Sequence, residues 1–273
     1  MQSAEYILSD DAPEYVNWRL RVGSFVSPDL KYVYMDTPKC ACTATKMHLW
    51  EFEGLPKRAP WPATVHERIE GDGRISLLDL PKKDAIFALT SPSVVRFYVY
   101  RKPEHRIASA YMNKIADLDL DAYANPRFAI QQKYDLGHPS EITLDQFAEF
   151  SCDTDDNFRD AHWQSQNTLL LANLIDYNHA IDMEDYADGM EEVFYQIGDI
   201  QRRNFREVIN KTGSKNHLIS APILSKIREA YAQDYLLAPE PSRWPGFWRL
   251  RRHFVSSIRR LASYGGGRPV SHV

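Results

Sequence analysis

The stretch Lys31–Trp50, KYVYMDTPKCACTATKMHLW, constrains this chain more than any other. Tyr32, Val33 and Tyr34 are aromatic or β-branched and read as a buried strand. Pro38 ends it, Lys39 to Thr43 form a tight turn, and Ala44 to Phe52 reads as a helix. Strand, short turn, helix is the order that aims backbone N–H groups and the positive end of a helix dipole at an anion. Lys39 adds a fixed charge, and Thr43 and Thr45 add hydroxyl donors. The turn is built as a phosphate cradle. It is not the nucleoside-triphosphate loop G-x-x-x-x-G-K-[ST], because no glycine lies between Gly23 and Gly54.

A second strand signal, Val94 to Tyr100 (VVRFYVY), runs into RKPEHRIASAYMNK, residues 101–114. Pro103 and Glu104 suit the first turn of a helix. Ile107, Ala110, Tyr111 and Ile115 then share one helical face. Arg101 falls at the strand end and Ser109 about two turns into the helix, where a guanidinium and a hydroxyl can converge on a second phosphate.

Both segments resemble one family. Pro38-Lys39-x-Ala41-x-Thr43-x-Thr45 is similar to the loop of sulfotransferases that binds the 5′-phosphosulfate of 3′-phosphoadenosine 5′-phosphosulfate (PAPS). R-x-P-x-x-R-x-x-S-A-Y-x-N-K resembles the 3′-phosphate segment of the group that includes the carbohydrate sulfotransferases, and follows the first loop by about 55 residues as it does there. The resemblance covers residues 31–237. It implies an α/β fold, a P-loop-NTPase-like sulfotransferase core with a short, mostly parallel sheet flanked by helices. It also implies PAPS as co-substrate, no metal, and in-line transfer to a hydroxyl of a carbohydrate or glycolipid-type acceptor.

Carried onto this chain, Lys39 neutralises charge on the departing oxygen. The backbone of Cys40, Ala41, Cys42, Thr43 and Ala44, with the Thr43 and Thr45 hydroxyls, holds the 5′-phosphate. Arg101 and Ser109 anchor the 3′-phosphate, while Arg106, Tyr111 and Lys114 support the helix or line the cleft. The general base is placed first on His66, whose side-chain type has an unperturbed pKa of about 6.5. His162 is its rival and Glu53 the third candidate. Two other readings stay open: a small-molecule kinase on the related architecture, and a non-catalytic PAPS-binding protein at a membrane.

The remaining expectations are coarser. Residues 1–30 read as an irregular lead-in with its aromatics over the core, and 53–81 as a loop-rich insertion. Asp84 to Leu89 reads as a short helix, 117–140 as a loop, and Thr143 to Phe150 as another short helix. His162-Trp163-x-x-Gln166 and an Ile175-Asp176-Tyr177 strand follow the family pattern. Asp188 is expected to cap a helix running to Ile197. The seven carboxylates from Asp176 to Glu192 read as a solvated face, because no histidine stands at ligand spacing. Residues 210–217 form a loop placed to close over the cofactor, and Pro222 to Leu237 an amphipathic helix.

The net charge of −4 hides an asymmetry: residues 243–273 carry seven arginines and no carboxylate. Domain 1–242 is therefore separated from a basic tail, 243–273. Within 244–264 an apolar stripe (Phe247, Leu250, Phe254, Ile258, Leu261) either lies on an anionic membrane or docks on the acidic body. No nucleic-acid partner is indicated. No run reaches 18 apolar residues and no signal peptide is visible. Three cysteines make no disulfide framework, and the cysteine pair of Golgi members is missing between His162 and the following strand. These features predict a cytoplasmic protein, with the inner membrane surface as the place its tail would touch.

Overall fold

Tyr32 and Tyr34 alternate with Val33 and Met35, and all four are fully buried, so the strand they form is covered on both faces. In the computed structural model, which describes residues 2–56, 65, 73–199, 203–205 and 218–239, this strand lies inside a four-stranded sheet. The N-terminal region holds α1 (Gln2–Ile7), α2 (Glu14–Val22) and β1 (Ser24–Val26). β2 (Tyr32–Met35), α3 (Cys42–Phe52), α4 (Lys82–Thr90) and β3 (Val95–Tyr100) follow. Then come α5 (Pro103–Ala110), a π-helical turn at Tyr111–Ile115, α6 (Ala124–Tyr134), α7 (Leu144–Asp153) and α8 (Gln166–Leu169). β4 (His179–Asp182), α9 (Tyr186–Gln196), α10 (Ala221–Ala230) and α11 (Ala232–Tyr235) complete the described elements.

The sheet order is β1-β2-β3-β4, with β1 antiparallel to β2 and the other two pairs parallel. This is the short, mostly parallel sheet flanked by helices that the sequence implies. Val33, Met35, Tyr98 and Tyr100 face a core shared with α1, α2 and α4. Tyr32, Tyr34, Phe97 and Val99 face a second core closed by α3 and α9. A third cluster joins α5, α7 and α10 around Phe147, Trp163 and Ile227. Thr143 starts α7 with a capping box: its hydroxyl accepts from the Gln146 N–H, and the Gln146 side chain accepts from the Thr143 N–H at 2.8 Å.

Several local expectations are corrected. The lead-in is helical, and Tyr6 and Trp18 are nearly half exposed, whereas Phe25 is buried. Residues 124–134 form α6 rather than a loop. Ile175-Asp176-Tyr177 is the approach to β4, not the strand itself. Arg96 Nε donates to the Asp176 carbonyl at 2.6 Å, and pairing with β3 begins only at Phe97 with His179. Asp188 lies inside the first turn of α9, whose N-cap is Asp185. The expected helix from Pro222 onward breaks at Tyr231 into α10 and α11.

By contacts the chain divides into units 1–238 and 239–273. The basic tail 243–273, the loop 210–217 and His66 lie outside the described residues. Among the described residues no helix is long and apolar enough to cross a membrane.

Candidate active site

The C-terminal ends of parallel strands are where open α/β sheets bind ligands. Here β2 ends in Asp36 to Ala41 and β3 in Arg101, on neighbouring strands. The first loop turns through two left-handed non-glycine residues, Lys39 (φ 70°) and Ala41 (φ 53°). Each costs about 1–2 kcal/mol in an ordinary L-residue, and such residues in a short turn are how a backbone makes an anion-binding concavity. Ala41 is the N-cap of α3 and supplies no side-chain cap, so the N–H groups of the helix's first turn point out of its end.

Buried charge fixes the loop from below. Asp36 is ion-paired to Lys46, and Arg19 donates to its carbonyl at 2.7 Å and its carboxylate at 3.3 Å. Arg106, 1% exposed, spends its guanidinium on three carbonyls: Pro38 at 2.9 Å, Ala161 at 2.7 Å and Gln164. It is a clamp, in keeping with a supporting role.

The side chains of the loop divide into two groups. Cys40 is fully buried: its thiol donates to Gln166 Oε1 at 3.3 Å, its N–H goes to the Thr37 carbonyl at 3.2 Å, and burial pushes the thiol up to about 12. Thr45 donates back to the Ala41 carbonyl at 3.1 Å and lies 3.1 Å from the Tyr186 hydroxyl, bracing the loop from behind. Burial also raises the Cys42 thiol. Lys39, partly exposed, instead reaches across to donate to Asn113 on the π-helical turn. Its pKa falls to about 8, first through burial and then through the nearby Lys114, Arg101 and Arg106 charges.

Arg101 is drawn to the same place. Its Nη1 donates to the Lys39 carbonyl at 2.9 Å, and its backbone is pinned by the Gln166 side chain at 3.1 Å and 2.8 Å. Ser109 is buried on α5, one turn beyond Arg106 and four residues before Asn113. The hydrogen bonds described for Arg101 go to Gln166 and Lys39, not to Ser109.

Of the candidate bases, Glu53 is the C-cap of α3, roughly 16 Å along the helix from the loop at 1.5 Å per residue. It does not share the site. His162 does: its Nδ1 lies 2.7 Å from Asp160 Oδ1 and 3.2 Å from the Tyr123 hydroxyl, and Lys114 stacks on the Tyr123 ring at 4.9 Å. Burial lowers the His162 pKa; Asp160 opposes this, and the Lys114 and Lys39 charges add to it. Asn113, Asp160 and Tyr123 carried no sequence assignment. Asn113 stood in the second motif and Asp160 two residues before His162, but only the packing shows what they touch. Among the described residues no group of His, Cys, Asp or Glu side chains assembles as a metal site.

An uncapped helix end with a lysine, faced by an arginine from the next strand at the carboxyl edge of a parallel sheet, is an arrangement in an α/β protein suited to a phosphate-type anion. Comparison narrows that class: a model described as "Sulfotransferase family" matches residues 22–237, and the chain belongs to that family. It is also 24% identical over 193 residues to carbohydrate sulfotransferase 14 of Danio rerio, covering 67% of this chain and 50% of the relative. The chain thus spans about half the length of that relative. No solved structure matches it. The expected cytoplasmic location is overturned by this similarity. It runs to a carbohydrate sulfotransferase, the group whose Golgi members work in a lumen, so few cysteines and the lack of a visible signal assign no compartment.

Proposed function

We propose that this chain transfers a sulfuryl group from PAPS to a hydroxyl of a carbohydrate or glycolipid-type acceptor. The observation that carries the proposal is the joining of two cations at the ends of adjacent parallel strands, Lys39 and Arg101, beside the uncapped N-terminus of α3. Family membership supplies the reaction class. The donor set fits a nucleotide with phosphates at both 5′ and 3′ positions, since the loop and helix end suit one anion and Arg101, with Ser109 on the following helix, a second.

PAPS supplies the activated sulfuryl group. The chain supplies position and charge, the two contributions that dominate such transfers. Lys39 stabilises the negative charge that develops at the 5′-phosphate end. Cys40 and Thr45 hold the loop's shape from inside. His162 is the described residue suited to take the acceptor's proton: its lowered pKa keeps it neutral near pH 7, and Asp160 fixes its ring. His66 competes for that role from outside the described residues. Separate His162→Ala and His66→Ala variants distinguish them, and the true base is the one whose loss lowers kcat by about 10²–10⁴-fold.

The reading is tested by incubating the protein with sulfur-labelled PAPS and a panel of sugars and glycolipids. Label appearing on an acceptor hydroxyl is the expected result. Tight nucleotide binding without transfer to any acceptor would make the protein a PAPS-binding module, and phosphate transfer from ATP would make it a kinase. The segment 244–264 is proposed to contact anionic lipid, its arginines contributing about 1 kcal/mol each near such a surface. Failure to co-sediment with anionic liposomes at low salt would remove that part.

A further inference from the structure

Gln166 occupies a position the proposed chemistry does not explain. It is fully buried, opens the short helix α8, and its one amide touches both anion loops. Oε1 accepts from the Cys40 thiol of the first loop at 3.3 Å and from the Arg101 N–H of the second at 3.1 Å. Nε2 returns a bond to the Arg101 carbonyl at 2.8 Å. The orientation of this amide is fixed in turn by Asp234 on α11, which is itself fully buried. Its carboxylate accepts from the Gln166 N–H at 2.9 Å, the Asn167 N–H at 2.8 Å and Gln166 Nε2 at 3.4 Å. The flanking residues Tyr231 and Tyr235 hold α11 down, through the Trp163 carbonyl at 2.6 Å and Glu104 at 2.8 Å.

We infer that Gln166, locked by Asp234, is the positioning residue that sets the separation between the 5′-phosphate and 3′-phosphate subsites, and so determines that a bisphosphorylated nucleoside is read as a unit. This rests on the proposed PAPS site. A ligand carrying two anions on one rigid nucleoside gains from the second anion only if the two subsites stand at the ligand's own spacing. The covalent chain between the loops runs through more than 50 residues and cannot hold that spacing. The β2–β3 pairing and the side chains of Arg101 and Arg106, bonded to the Lys39 and Pro38 carbonyls, bring the loops together. The Gln166 amide alone among these grips the Arg101 backbone through both its N–H and its carbonyl while also holding Cys40.

The test compares three ligands by calorimetry: 3′-phosphoadenosine 5′-phosphate, 5′-AMP and 3′-AMP. In the unaltered protein the bisphosphate binds at least tenfold more tightly than either monophosphate; if it does not, the PAPS reading itself fails and this inference with it. Gln166→Met keeps the length of the side chain and removes its hydrogen bonds. It is expected to weaken the bisphosphate by about tenfold while leaving both monophosphates nearly unchanged, because each subsite survives and only their spacing relaxes. Asp234→Asn keeps the shape and weakens the lock, and should move the same ratio in the same direction by less. It carries the test if Gln166→Met does not fold. A uniform loss across all three ligands, or an unchanged ratio in the folded variants, would show Gln166 to be ordinary scaffolding.

Discussion

The two candidate anion loops are built by opposite means. The first, residues 36–45, works through its backbone. It holds two left-handed non-glycine residues, ends in an uncapped helix, and turns Cys40 and Thr45 inward to keep that shape. The second, residues 101–114, holds no left-handed residue: its helix starts at Pro103 and runs into the π-helical turn, and its candidate ligands are side chains. Arg106 and Gln166 then bind the two together. The difference teaches where strain and where chemistry reside: the first loop stores the cost of its geometry in φ, while the second stores information in which side chain stands where.

The contrast can be broken at Lys39, the one residue of the first loop whose side chain is expected to act chemically. Lys39→Ala should lower kcat by about 10²–10³-fold while weakening nucleotide binding modestly, because its charge matters most as negative charge builds on the departing oxygen. Steady-state kinetics at saturating PAPS decide it; near-normal kcat would reduce the loop to a binding element.

Breaking the tie between the loops comes next. Arg106→Met leaves the carbonyls of Pro38, Ala161 and Gln164 buried without their donor. The expected loss is about 3 kcal/mol or more of folding stability, read from urea denaturation. A smaller loss would mean that these carbonyls find other partners.

The second loop is sharpened by Arg101→Ala. It should erase the preference for 3′-phosphoadenosine 5′-phosphate over AMP, a loss of about 1.5–3 kcal/mol or ten- to a hundredfold, while AMP binds as before. Equal losses for both ligands would place Arg101 in the general scaffold.

The pH profile tests the loops together. Lys39, lowered to about 8 mainly by burial, is charged below that pH and neutral above it. Its cationic role in the free protein is therefore present below pH 8, and kcat/KM should fall by about tenfold per pH unit above it. His162, lowered from its usual value, must be neutral to act as base, so its limb lies on the acid side. Lys39→Arg should move the alkaline limb out of range; an unmoved limb belongs to another group.

The smallest effect separates backbone from side chain in the first loop. Ala41 stands at φ 53° and ψ 23°. Ala41→Gly should relieve the left-handed strain and leave stability equal or up to about 1 kcal/mol higher, whereas Ala41→Val should lower it by at least about 1 kcal/mol. Thermal denaturation distinguishes these; similar melting temperatures would mean that the turn is not strained.

The sequence by itself determined the elements that depend on local preference and period. β2 and β3 are β-branched and aromatic runs, α5 begins at a proline, and α7 carries its own capping box, so each is specified within a few residues. Both anion loops were visible for the same reason, since each is a strand end followed directly by a helix start. What only the tertiary structure decided is which way those residues turn and what meets them. Thr45 is a plausible ligand in the sequence but spends its hydroxyl on Ala41 and Tyr186, because buried polar groups must find partners. The lead-in and α6 lack strong local signals and are helical because an apolar face has a core to cover. Gln166 meets Arg101 across 65 residues and Cys40 across 126, and Asp234 meets Gln166 across 68. Contacts at such separations come from packing whole elements together, so local pattern does not encode them. The lowered pKa of Lys39 has the same origin: Lys114, Arg101 and Arg106 crowd it only after the strands and helices have closed around the loop.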